Sequence, residues 1–119
     1  MENSEVFGGI SFMVGAIFTA VGAILYKFPP KKINWFYGYR TPASMRSQER
    51  WEFAQQFSAI RMFASGVTMM LLSVVLQSLE ISSDVAFNLE LATIFISVAY
   101  MLISTEFAIN KKFETNNVN

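Results

Sequence analysis

Three long apolar runs, separated by one long polar stretch and one short one, organise the chain. The first runs from Val6 to Phe28 and holds no charge until Lys27. About 23 residues at ~1.5 Å each reach roughly 34 Å, enough to cross a hydrocarbon core of ~30 Å with some tilt. A cleaved signal peptide is the competing reading. It fits poorly, because Met1–Glu5 is acidic rather than basic and the run is too long. Pro29 and Pro30 end the helix, since proline lacks the amide donor and clashes with the preceding turn.

A polar, aromatic stretch follows, and the pattern places a loop over 29–56. Thr41-Pro42 reads as an N-cap with proline in the first helical position. A second helix start is available at Ser47, with Glu49 in its first turn. Trp51, Ala54, Ser58, Arg61 and Met62 then recur at helical spacing. These signals predict a short juxtamembrane helix that continues into a second span over 57–79. Glu80, Ser82, Ser83 and Asp84 make a brief acidic link. A third span is predicted over 85–109, carrying Glu90 and Glu106, and residues 111–119 read as a polar tail with a mobile end. The expected fold is all-α: one three-helix transmembrane domain over residues 1–110.

Composition agrees with the pattern. Hydrophobic residues make up 53% of the 119 positions, with 12 Phe and 7 Met, and mean hydropathy is +0.37, values normal for a multi-span protein. The chain has no Cys and no His. That excludes disulfides, thiolate metal sites, cysteine nucleophiles and lipoprotein anchoring, and removes the usual general base and pH switch. Neither a cofactor nor a metal site is expected.

Charge placement predicts orientation. Lys27, Lys31, Lys32, Arg40, Arg46 and Arg50 cluster between the first two spans, and Lys111 and Lys112 follow the third. The N-terminus and the second link carry no Lys or Arg. The positive-inside rule then puts the N-terminus outside and the long loop and C-terminus in the cytoplasm.

Candidate chemistry is sparse. Gly8, Gly15 and Gly22 recur every seven residues beside Ala16, Thr19 and Ala23. Such a line lets helix backbones approach within lipid, either inside the chain or, alternatively, at a homo-oligomer or partner interface. Arg61 and Glu106 are expected at similar depth, and a pair between them would offset the cost of intramembrane charge. Arg40 is the competing partner. Glu90, beside Asn88 and near the outer end of the third span, either snorkels outward into solvent, the favoured reading, or faces a polar cleft as a functional carboxylate. The two glutamates lie sixteen positions apart, about 24 Å along one helix, too far to act as a catalytic pair. No nucleophile–base pair and no phosphate loop is legible, so no enzyme is expected. The aromatics Trp35, Phe36, Tyr37 and Tyr39 suit the headgroup layer, with basic neighbours on anionic lipid. Aromatic–basic mixtures also occur in single-strand nucleic-acid binders, but zero net charge and membrane placement argue against that. Gly38 among the aromatics marks a tight turn.

The stretch Asn34-Trp35-Phe36-Tyr37-Gly38-Tyr39-Arg40-Thr41-Pro42, then Ser44, Glu49, Trp51 and Ala54, resembles the signature of the SdpI/YfhL family of bacterial membrane proteins. Ser104-Thr105-Glu106 followed by Lys111, Lys112 and Phe113 is similar to that family's closing motif. The resemblance covers the loop and all three spans, and matches the C-terminal three-helix module of a longer immunity protein. It implies a protein of the bacterial cytoplasmic membrane that protects against a secreted, membrane-active peptide toxin or takes part in membrane-level signalling. It also marks Asn34, Gly38, Arg40, Thr41, Pro42, Trp51 and Glu106 as the functional positions. Implied partners are membrane lipid and a peptide toxin. The competing readings are an accessory subunit of a larger membrane complex and, behind it, a small transporter or enzyme using Glu106 and Arg40.

Overall fold

The computed structural model describes residues 9–118, the side chains of 115–118 excepted. Gly8 therefore lies outside the described residues. Three helices follow in order: α1 (Ile10–Lys27), α2 (Gln48–Ser78) and α3 (Ser83–Val118). All three are long and apolar enough to cross a membrane. At ~1.5 Å per residue they measure about 27, 46 and 54 Å. The two longer helices therefore exceed the ~30 Å hydrocarbon core, and their ends must project from it.

Local sequence explains the helix limits. Phe28 closes α1 through its backbone N–H on the Ile24 carbonyl, and Pro29-Pro30 prevents continuation. Of the two helix starts that the sequence offers, Ser47 is the one used: its hydroxyl accepts from the Arg50 N–H at 3.1 Å. Thr41-Pro42 opens a single turn instead, closed by the Met45 N–H on the Thr41 carbonyl at 3.0 Å. Residues 111–118, read from sequence as part of a polar tail, continue α3 as helix. Ile109 and Phe113 are the reason. Four residues apart, they share one face and bury it against Tyr39, Ala43 and Ala54.

Most packing is between α1 and α2, less between α2 and α3, and least between α1 and α3. The α1–α2 crossing is built on small residues. A Cβ added at Gly15 would stand 2.6 Å from the Gly66 carbonyl oxygen, and one at Gly22 would stand 2.7 Å from the Phe63 nitrogen. Gly15 and Gly22 thus face α2, where backbone meets backbone. The sequence reading had no place for Gly66, which supplies the opposing surface.

Candidate functional site

The 20 residues between α1 and α2 fold into a cap held by side-chain hydrogen bonds. The Asn34 carboxamide oxygen accepts from the N–H groups of Phe36 and Tyr37, each at 2.8 Å. This is an Asx-type turn, which asparagine makes by imitating a backbone turn. Gly38 follows at φ +108°, a region that L side chains rarely adopt. Gln55 of α2 then clamps the chain. Its oxygen accepts from the Tyr39 N–H at 2.7 Å, and its amide donates to the Tyr39 carbonyl at 2.8 Å. Trp51 is 0% exposed and donates from Nε1 to the Pro30 carbonyl at 2.7 Å. The Tyr37 hydroxyl donates to the Phe28 carbonyl at 2.8 Å. The Ser44 hydroxyl accepts from the Thr41 N–H at 2.9 Å and donates toward the Tyr39 and Thr41 carbonyls.

The cap is latched to α3 by Glu106. Its Oε2 accepts from the Tyr39 hydroxyl and the Thr41 hydroxyl, both at 2.7 Å. Burial pushes the Tyr39 phenol above its ordinary range, and the hydrogen bond and charge of Glu106 push the same way. Tyr39 therefore acts as a fixed neutral donor, not as a base. The two hydroxyls come from alternate residues, and Arg40 between them is exposed.

The expected pair between Arg61 and Glu106 does not form among the described residues, and Arg40 does not replace it. The Arg61 guanidinium lies over the Phe57 and Tyr100 rings, at 4.7 and 5.8 Å from their centroids. Its buried Nε has no hydrogen-bond partner. A stacked arginine of this kind draws on the ring quadrupole instead of a counter-charge.

Glu90 is not solvated: it is 1% exposed. One oxygen accepts from the Ser11 N–H at 2.9 Å and the Ser11 hydroxyl at 2.7 Å, and the other accepts from the Gln77 amide at 2.7 Å. The Ser73 hydroxyl lies within 3.1 Å of both oxygens, and in turn accepts from the Gly9 N–H at 2.8 Å. Ser11 stands in the first turn of α1, whose amides have no intrahelical partner. Glu90 therefore caps α1 from a different helix, with its charge at the positive end of the helix dipole. The sequence reading missed Ser11, Ser73 and Gln77. Their signal was Ser73 and Gln77 standing four apart in an apolar run, which aligns two polar side chains on one helix face.

Between α1 and α3, under the cap, lies a cavity of about 270 Å³. Val21, Leu25, Met62, Met101 and Leu102 form its apolar walls, and residues 37–41 close its loop end. Among the described residues, no group of three or more metal-ligating side chains comes together.

The candidate positions thus separate into three places. Asn34, Tyr37, Gly38, Thr41 and Trp51 build the cap; Trp35 and Phe36 project from it, 74% and 90% exposed; Pro42, itself exposed, starts a turn whose Ala43 and Ser44 are buried. Glu106 receives the cap, while Arg61 and Glu90 stand elsewhere on the bundle.

The model of the SdpI/YfhL protein family matches residues 31–105. The chain is also 43% identical over 53 residues to the uncharacterized protein YfhL of Bacillus subtilis (strain 168). That alignment covers 44% of this chain and 48% of the relative, so about half of each. No solved structure matches. The family match takes in the cap from Lys31 on, α2 and most of α3 up to Thr105, and the chain belongs to the SdpI/YfhL protein family of membrane proteins.

Proposed function

We propose that the protein is a non-catalytic, immunity-type protein of the bacterial cytoplasmic membrane, conferring resistance to a membrane-active amphipathic peptide. In this reading the N-terminus faces outward, and the cap and C-terminus face the cytoplasm, in keeping with the loop charges. The observation that carries the proposal is the cap itself. Asn34, Tyr39 and Thr41 of its signature are spent on internal hydrogen bonds, while Trp35 and Phe36 stand 74% and 90% exposed on that base. Rigid exposed aromatics on a pinned loop suit recognition, since large rings contribute contact area at small entropic cost. A peptide inserted in the bilayer would present apolar side chains at the interface where these rings sit.

The test is survival of a bacterium lacking other family members. Cells expressing the chain are challenged with purified amphipathic, membrane-permeabilising peptides. Protection is expected from the natural sequence and not from a Trp35→Ala/Phe36→Ala variant present at the same membrane level. Equal survival of both refutes recognition through the aromatic tip. Gentle purification separates the competing role: stoichiometric recovery with a large membrane complex, and no protection, makes the chain an accessory subunit.

A further inference from the structure

The cavity under the cap has a composition that the hydrogen-bond network does not explain. Its walls are apolar, and its hydroxyl-bearing neighbours are already committed: Tyr37 to Phe28, and Tyr39 and Thr41 to Glu106. Arg40 is the one charged residue of the lining. It is exposed, and no carboxylate pairs with it among the described residues. Arg61, by contrast, is stacked on two aromatic faces.

The cavity also has an open side. Val21 and Leu102 are 37% and 40% exposed, while Leu25, Ser58 and Met101 behind them are buried. The opening is thus lateral, between α1 and α3, the helix pair that packs least. For a spanning protein that side faces lipid. The volume, about 270 Å³, equals that of roughly nine liquid waters at ~30 Å³ each. An apolar slot of this size takes a stretch of alkyl chain, and the free guanidinium at its loop end takes an anionic group at headgroup level. Basic pockets between spanning helices are suited to such headgroups.

We propose that this cavity binds one acyl chain of an anionic membrane phospholipid, whose phosphate pairs with Arg40. The bound lipid fills the gap between α1 and α3 and braces the cap from below. This goes beyond the resistance reading and does not rest on it. The site uses Arg40 and the helix walls, not the aromatic tip.

The experiment uses the full chain in uncharged detergent, incubated with vesicles of equimolar phosphatidylglycerol and phosphatidylcholine with identical acyl chains. The protein is re-purified and its retained lipid is counted by mass spectrometry. The expected result is about one phospholipid per chain, enriched in phosphatidylglycerol roughly fivefold: both headgroups offer Arg40 a phosphate, but in phosphatidylcholine the trimethylammonium offsets its charge. Arg40→Gln should bring the two lipids to near parity, and Lys31→Gln should leave the enrichment intact. Val21→Trp, at a position already partly exposed, should fill the slot and abolish retention of both. Leu102→Trp repeats that test from α3, and melting temperatures of all variants confirm that the bundle persists. Millimolar inorganic phosphate should not displace the lipid. Unchanged enrichment in Arg40→Gln, full retention in folded tryptophan variants, or displacement by phosphate alone would overturn the proposal. No toxin enters the lipid measurement itself, so its outcome and the survival assay can fail separately.

Discussion

Gly38→Ala is the sharpest perturbation of the cap. The residue stands at φ +108°, where an L side chain costs about 1–3 kcal/mol. The added Cβ would also lie 2.5 Å from the Gln55 oxygen and 2.7 Å from Pro30 Cγ, both inside contact distance. Pro30 is held in place by Trp51, so Gln55 must yield. Gln55 makes two hydrogen bonds to Tyr39, each worth about 0.5–1.5 kcal/mol net. At mid-range the terms sum to about 4 kcal/mol, at the upper end of 10²–10³ in the opening equilibrium of the cap. Amide hydrogen exchange in detergent reads this directly at the Tyr39 N–H, which donates to Gln55. Its protection should fall by two to three decades (the ~10²–10³ above) while amides in mid-α2 keep theirs. A double-mutant cycle isolates the cause. Once Gln55→Ala has removed the obstructing oxygen, Gly38→Ala should cost only its backbone strain and the Pro30 contact, a clear departure from additivity. If the two changes add fully, or if Tyr39 protection is unaltered, Gly38 is not required by the clamp and the reasoning fails.

Four further outcomes follow from the same geometry. Glu106→Gln keeps an acceptor for the Tyr39 and Thr41 hydroxyls and should cost about 1 kcal/mol, whereas Glu106→Leu strands both and should cost about 2–4 kcal/mol, read by thermal unfolding in detergent. Glu90→Leu leaves the Ser11 amide and the Gln77 side chain without their acceptor and should cost about 3–5 kcal/mol; Glu90→Gln should be milder, because the Gln77 amide can turn to present its oxygen. Gly66→Ala should loosen the α1–α2 crossing by about 1–3 kcal/mol, since its Cβ meets the Thr19 backbone, and a cross-link between α1 and α2 at that level should slow. The raised phenol of Tyr39 sets an alkaline limit: below pH ~10 neither state ionises, and above it the unfolded chain loses the proton first, so stability falls with rising pH. Tyr39→Phe should remove that part of the alkaline slope in melting experiments.

The helices were legible because lipid makes an uninterrupted apolar run its own signal, and Pro29-Pro30 and Ser47 mark ends by local chemistry. The side-chain partners were not, because sequence gives depth along a helix more readily than direction around it. Arg61 and Glu106 illustrate this. Arg61 stacks on Tyr100, and Tyr100 and Glu106 are six residues apart. At ~3.6 residues per turn that separation puts them about 120° apart around α3. Similar depth therefore did not imply contact. The Asn34 turn and the positive φ of Gly38 were readable as turn chemistry, yet nothing local announced that Gln55, sixteen residues beyond Tyr39, would hold the turn. Residues 111–118 misled for the opposite reason. Their composition is polar, and only Phe113, one turn beyond Ile109, reveals that the helix continues to pack.

The distribution of contacts gives the two glutamates of α3 a common logic. Apolar packing has little driving force between helices already surrounded by hydrocarbon, so position must come from close backbone approach or from hydrogen bonds. α1 and α2 use close approach, through Gly15, Gly22 and Gly66. α3 packs less tightly on either, and its two carboxylates hold it at opposite ends. Glu90 ties it to the start of α1 and to Ser73 and Gln77 of α2, and Glu106 ties it to the cap. Both use uncharged donors rather than a cation; Arg61 instead adds a cation–π contact from α2 to Tyr100 of α3, and Arg40 stands exposed. The interval between α1 and α3, the helix pair that packs least, is where the apolar slot lies, with Arg40 at its loop end.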